Sequence, residues 1–169
     1  MSTRPSIGRR RAAVGERLGG FIYGTILSLA VLVGGVKAFP HDAWKIVVLL
    51  TVTALVFWLA HVYADSLAHV VSENEHLSLG ELGRIARHES SIIEAVIPSV
   101  AALLLAVFGL ISTKGAAWIA YGLGLAVLTV SGLVFARVER LGWLPTLVVV
   151  ALNVALGVVL VGLKLFVSH

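Results

Sequence analysis

The sequence predicts an all-α fold class, a polytopic membrane bundle of five transmembrane helices, from its composition and from where its charges fall. Of the 169 residues, 59% are hydrophobic and 13% are charged, and the mean hydropathy is +0.99. A soluble domain carries about 25% charged residues, so this chain has too little polar surface to coat a globule in water. Apolar stretches of about 20 residues, the length that crosses a bilayer, recur five times, and the charges fall between them.

Each predicted span is bounded by charged or turn residues. A basic tail of residues 1–17 precedes a single membrane domain, residues 18–169, whose spans cover residues 18–36, 44–71, 92–111, 116–136 and 143–166. Only residues 112–115 separate the third span from the fourth, and so short a link requires an antiparallel helical hairpin.

The longest link, residues 72–91, carries a helix-start signal. Ser78–Glu81 fits a capping box, in which a serine and a glutamate three residues later satisfy each other's backbone amides. Apolar residues then recur with helical spacing, which predicts a short amphipathic helix on the inner membrane surface. An irregular solvated loop is the alternative, because two glycines in this segment disfavour a helix.

The basic residues give the predicted orientation, because the cytoplasmic ends of membrane spans carry excess Lys and Arg. With the N-terminus cytoplasmic, all nine arginines fall on the inner side and all four lysines fall outside or at the outer interface. We therefore predict a cytoplasmic N-terminus and an external C-terminus. The net charge of +4 comes from these flanking residues, so it does not indicate a nucleic-acid partner.

Ionisable side chains gather toward the inner end of the second span. His61, Asp65 and His69 are spaced i, i+4 and i+8, so they line one helix face. Glu94 is expected at a similar depth, because the third span enters from the inner side. Ionisable residues within a span are costly and mark functional sites by default. We predict that these four residues form a pathway for protons or a small cation, with Asp65 as the acceptor and the histidines as pH-sensitive partners.

Other polar residues are expected to support this cluster, whereas the outer leaflet is almost free of them. The distribution predicts a vestibule that faces the cytoplasm rather than a uniform channel lining. The supporting residues are Tyr23, Tyr63, Ser91, Ser131 and Asn153.

A purely structural role for the cluster is the first alternative. In that interpretation Asp65 pairs with His61 or His69, and Glu94 pairs with a serine or with Arg87, so that the charges fix helix packing.

A divalent metal site is the second alternative, and a divalent metal is the cofactor that this interpretation implies. His61, Asp65 and Glu94 are candidate ligands, since imidazole and carboxylate groups suit zinc, iron or manganese. Glu73 and His76 also have the helical spacing of di-metal proteins, although in a single copy.

Stripes of small residues predict close helix contacts, either within the chain or between protomers. They are Gly20 with Gly24 on the first span, Ala116, Ala120 and Gly124 on the fourth, and Ala151 with Ala155 on the fifth.

Residues 17–21 resemble, over five positions, the first helix of a potassium-channel family marked by Phe-Ser-Asp. Ile22 and Tyr23 follow Phe21 here, so the signature is missing and no property of that family is transferred.

The leading hypothesis is a multi-pass protein of the plasma (cytoplasmic) membrane that conducts or transports a small cation or protons. The alternatives are a non-catalytic accessory or assembly subunit of a larger membrane complex and a membrane-embedded metal-binding protein. No catalytic residue is predicted, because cysteine is absent and no nucleotide loop, nucleophile elbow or zinc-protease motif occurs. The expected partners are the lipid bilayer and a second copy or another membrane subunit, because five helices enclose only a narrow cavity.

Overall fold

The computed structural model describes residues 7–73 and 78–167, and the regular elements in these segments are all helices. The all-α prediction is therefore confirmed for the described residues, and the helix of the first span begins within the basic tail. The helices are α1 (Ile7–Ala38), α2 (Ala43–Glu73), α3 (Leu79–His88), α4 (Ser91–Glu94), α5 (Ile97–Val107), α6 (Thr113–Val138) and α7 (Trp143–Val167).

Four helices are long and apolar enough to cross a membrane by themselves, and a fifth span is present if a bent pair of helices counts as one. The chain is a multi-pass membrane protein by these criteria. Five spans and the orientation of the two ends remain predictions. The four segments are Arg17–Ala38, Ala43–Val71, Thr113–Val138 and Trp143–Gly162.

The third predicted span is bent rather than straight. The helical segment Leu79–Glu94 meets Ile97–Val107 at an angle of 51°. Pro98 lies in the first turn of α5. Because proline lacks an N–H group and disfavours helical backbone in the residue before it, a helix is readily interrupted at this point. α5 then ends short of the predicted boundary, in a turn where Gly109 has a φ of +74°.

α3 begins with the predicted capping box, so the helix is confirmed and the irregular loop is not found. The Ser78 hydroxyl accepts from the Glu81 amide at 3.2 Å, and the Ser78 amide donates to the Glu81 carboxylate at 2.9 Å. α3 packs along α2, since Trp58 Nε1 donates to the Ala86 carbonyl at 3.0 Å and His69 Nε2 lies 3.8 Å from Glu81 Oε1. These contacts place the start of α3 beside the end of α2, so the two helices run antiparallel.

α1 is central to the bundle and contacts α2, α4, α6 and α7. A Cβ at Gly24 would lie 2.8 Å from the Ile92 carbonyl oxygen and 2.9 Å from the Ala95 Cβ. A Cβ at Gly20 would collide with the Ser91 hydroxyl. The predicted stripe of small residues on the first span therefore serves close packing of α1 against α4 within the chain.

The other two stripes differ in what they contact. The stripe on α6 is buried against α1, where Leu29 lies over Gly124. On α7, Ala151 and Ala155 are exposed, and the helix approaches α6 through Gly157 instead. One predicted stripe thus faces outward.

The core lies where α1, α2, α5 and α6 meet. A buried hydrogen bond of 3.0 Å from Ser28 to Ser99 joins α1 to α5 within it. This pairing satisfies two hydroxyl groups that would be costly if left alone in an apolar interior. The large, fully buried side chains around it include Leu29, Leu32, Ile46, Leu50, Leu103, Tyr121 and Leu128.

Candidate functional site

A polar cavity of about 530 Å³ lies at one end of the bundle, between the first half of α1, the last turns of α2 and the link from α3 to α4. α1 and α2 run in opposite directions, so these parts of the two helices meet at the same end. The cavity is lined by Gly19, Gly20, Tyr23, His61, Asp65, His88, Glu89 and Ser91.

His61, one of the lining residues, has a defined tautomer when it is neutral. His61 Nδ1 lies 2.9 Å from the Phe57 carbonyl oxygen. A carbonyl oxygen only accepts, so Nδ1 is the nitrogen that carries the hydrogen. Nε2 is then left as a hydrogen-bond acceptor. The ring centroid of Tyr23 lies 5.3 Å from that of His61, which brings a phenol from α1 next to an imidazole from α2.

Two carboxyl groups from different elements meet in the same cavity. Asp65 lies on α2, one turn after His61, and Glu89 lies in the link between α3 and α4. Asp65, His61 and His88 are all close enough to Glu89 to interact with its charge. The half-buried Glu89 and the exposed Asp65 therefore form an acidic pair flanked by imidazoles.

Of the four residues that the sequence singled out, the structure brings only His61 and Asp65 to this cavity. His69 turns to α3 and approaches Glu81, as described above. Glu94 accepts two hydrogen bonds from Arg17, at 3.0 and 3.1 Å, and a third from the Ser90 hydroxyl at 2.9 Å. Glu94 thus joins α4 to α1, and its basic partner is Arg17 rather than the Arg87 considered from sequence.

The supporting polar residues divide in the same way. Tyr23 and the buried Ser91 line the cavity. Tyr63 is exposed and lines a separate apolar groove between α2 and α3. Ser131 is buried on α6. Asn153 of α7 packs against Gly132, the residue that follows Ser131. These last two therefore belong to the contact between α6 and α7.

His88 and Glu89 are the site residues that sequence reasoning missed. Both lie in the segment that precedes the predicted third span, whereas the candidate site residues were chosen from within the spans. The signal that could have found them is the capping box. The helix that the capping box starts runs back along α2, so the residues at the end of this helix lie near Asp65.

The residues that the structure describes offer no group of three or more His, Asp or Glu side chains arranged to hold a metal ion. Glu94 does not close a ligand shell with His61 and Asp65, because it is engaged by Arg17. The pairing of Glu73 with His76 lies partly outside the described residues, since residues 74–77 are not included.

Comparison with known proteins finds no matching family model, no matching curated protein and no matching solved structure. The function therefore has to be inferred from the site itself.

Proposed function

We propose that this chain transports or conducts protons or a small cation across the plasma membrane, and that Asp65 and Glu89 hold the ion. The observation that carries the proposal is that these two carboxyl groups line one cavity with His61 and Tyr23 and are close enough to interact electrostatically. In this proposal Asp65 remains the acceptor, and Glu89 takes the role that the sequence analysis assigned to Glu94.

The chemistry of a close carboxyl pair supports an ion-binding role. Two neighbouring carboxylates that line one cavity repel each other unless a proton or a cation lies between them. The pair then takes up and releases its ion as a coupled unit. Such a pair in the lining of a cavity at one end of the bundle is a site that an ion can enter from that end.

The two carboxyl groups also lie on different elements of the fold. Asp65 belongs to a long helix, whereas Glu89 belongs to the two-residue link between α3 and α4, within the first arm of the bent span. An ion bound between them favours the arrangement in which α2 and the link are close, and its loss favours their separation. This difference provides the two states that a transport cycle needs.

The neighbouring aromatic groups support proton exchange with the pair. His61 presents Nε2 as an acceptor, so its imidazole can take a proton from the pair. Tyr23 places a hydroxyl-bearing ring beside it. We assign His69 and Glu94 to helix contacts rather than to the pathway.

Flux through the purified full chain in liposomes tests the proposal. We expect ion-dependent dissipation of an imposed pH gradient, followed with a fluorescent pH indicator, and its reduction to background in Asp65→Asn and in Glu89→Gln. Glu139→Gln is the matched control, because Glu139 is an exposed carboxylate at the end of α6 and does not line the cavity. The proposal fails if empty liposomes match the wild type or if both cavity variants keep full flux.

A second variant tests the role of the imidazole. We expect His61→Ala to move the pH at which flux is half-maximal, because the group that exchanges protons with the pair is removed. His41→Ala, in the exposed link between α1 and α2, should leave the profile in place. An unchanged profile in His61→Ala would remove this histidine from the mechanism.

The outward face of α7 supports a second candidate function, that of an assembly subunit or a homo-oligomer. Only 11% of its spanning window is buried, and Ala151 and Ala155 lie on the exposed side. Small residues let membrane helices approach closely, and this stripe serves no close helix contact among the residues that the structure describes. Ala155→Leu should lower either the share of cross-linked dimer or the yield of a partner that co-purifies stoichiometrically. Val52→Leu, at an exposed position of α2, should lower neither. Equal yields from both variants would refute this function.

A further inference from the structure

The two helices that line the polar cavity offer few oxygen atoms besides the carboxyl groups. α1 and α2 are uninterrupted where they line it, so their backbone carbonyls are engaged in helical hydrogen bonds. The Phe57 carbonyl also accepts from His61 Nδ1. Transporters that bind sodium coordinate it with the carbonyl oxygens of unwound helix segments, and neither helix provides such a segment at the cavity.

The link between α3 and α4, residues 89–90, is also poor in available oxygens. Its two carbonyls accept backbone hydrogen bonds, from the Ile92 amide at 3.1 Å and from the Glu94 amide at 3.0 Å. The Ser91 side chain is buried, and its hydroxyl lies against Gly20 of α1. A calcium ion takes about six to eight oxygen ligands, and these groups add little to the two carboxylates.

The imidazoles of the lining suit proton exchange better than the binding of a hard cation. His61 presents Nε2 as an acceptor, and His88 is the second imidazole. Both are close enough to Glu89 to interact with its charge. Sodium, magnesium and calcium prefer oxygen ligands to imidazole. The described residues also form no group of three His, Asp or Glu that could hold a metal ion such as zinc.

The carboxyl pair has no permanent positive charge beside it in the cavity lining. None of the lining residues that the structure describes is a lysine or an arginine. Arg17, the basic residue of α1 closest in sequence to the lining, is paired with Glu94 at 3.0 Å. A bound ion therefore has to supply the compensating charge. A proton does so through a single O–H bond and needs no coordination shell.

We infer that the ion held by Asp65 and Glu89 is a proton. This inference deepens the proposed function and rests on its assignment of the ion to this carboxyl pair. The proton forms an O–H bond with one carboxyl oxygen, so the pair changes from two negative charges to one. On release, the proton passes to water or to Nε2 of His61, which becomes an imidazolium ion.

Infrared difference spectroscopy of the purified full chain in detergent tests this site without requiring flux. The carbonyl stretch of protonated carboxyl groups is followed as the pH is changed in choline chloride. Asp65→Asn and Glu89→Gln should each remove one titrating component and shift that of the remaining partner to lower pH, because the like charge that opposed its ionisation is gone. Glu139→Gln, an exposed carboxylate outside the cavity, should remove its own component only.

Cation competition in the wild-type protein decides between a proton and a metal cation, and it needs no variant. Replacing choline chloride by sodium, calcium or zinc chloride at constant pH should leave the band of the pair unchanged. A cation that binds between the carboxylates would expel the proton and weaken this band. Such a loss would overturn the inference, and so would independent titration of Asp65 and Glu89.

The liposome assay separates this inference from the proposed function. With a potassium potential set by valinomycin, the lumen should acidify at the same rate whether sodium or choline is outside. Acidification that requires sodium would overturn the inference and leave ion transport in place. Absence of any flux, with the band of the pair still insensitive to cations, would refute transport and leave the proton assigned to the pair.

Discussion

Replacing Gly24 by alanine should weaken the contact on which the candidate site is built. Gly24 lies on α1 where α4 crosses it, and the new Cβ would be 2.8 Å from the Ile92 carbonyl oxygen and 2.9 Å from the Ala95 Cβ. Ordinary van der Waals contact begins at 3.4 Å. α1 and α4 must therefore separate by about half an ångström, because the backbone oxygen of α4 cannot rotate away.

The size of the effect follows from a matched substitution on the same helix. Gly34→Ala introduces a Cβ with nothing within 4 Å, so it gains only the helix preference of alanine, about 0.5–1 kcal/mol. Gly24→Ala has the same gain but also the cost of overpacking, about 1–3 kcal/mol. The two variants should therefore differ by about 1–3 kcal/mol in the free energy of unfolding.

Thermal unfolding in detergent measures this difference. At about 2–4 °C per kcal/mol for a chain of this size, Gly24→Ala should melt several degrees below Gly34→Ala. The same separation moves the first turn of α4, so flux should also fall in Gly24→Ala. A Gly24→Ala protein that melts at or above Gly34→Ala would show that α1 and α4 are not in close contact at this point.

Three further predictions concern single contacts. The Lys45 backbone amide and ammonium group lower the pKa of Asp42, so the first turn of α2 should be protected above the usual carboxyl pKa and lose protection as pH falls through the lowered value. Hydrogen exchange checks this, and Asp42→Asn should remove the pH dependence. Ser28→Ala should cost about 0.6 kcal/mol, because it removes the buried bond to Ser99; a double-mutant cycle that gives no coupling would contradict it. Arg17→Gln should cost at most about 1 kcal/mol, since its partner carboxylate is 40% exposed, and 1 M salt should abolish the difference.

Local signals in the sequence predicted much of the helical framework. The lengths of the apolar stretches predicted the spans, and the capping box predicted the start of α3. Both signals depend only on residues that are close in sequence. The bend of the third span was not predicted, although Pro98 was visible. Whether a proline ends or merely bends a membrane helix depends on what packs beside it.

The sequence predicted His61 and Asp65 of the candidate site but not His88 and Glu89. His61 and Asp65 share a face of one helix, and helical spacing alone reveals that. Glu94 was expected to join them from its depth in the membrane, but depth does not fix which way a side chain faces. The rotation of α4 against Gly20 and Gly24 turns Glu94 to Arg17 and leaves Glu89 beside Asp65.

The sequence by itself determined that this protein is helical and built for a bilayer, because hydrophobicity and charge act on each segment separately. Only the tertiary structure decided which charged groups meet. That choice depends on helix rotation, on the antiparallel return of α3 along α2 and on two glycines that let α4 approach α1. These are properties of contacts between distant segments, and the order of residues along one helix does not contain them.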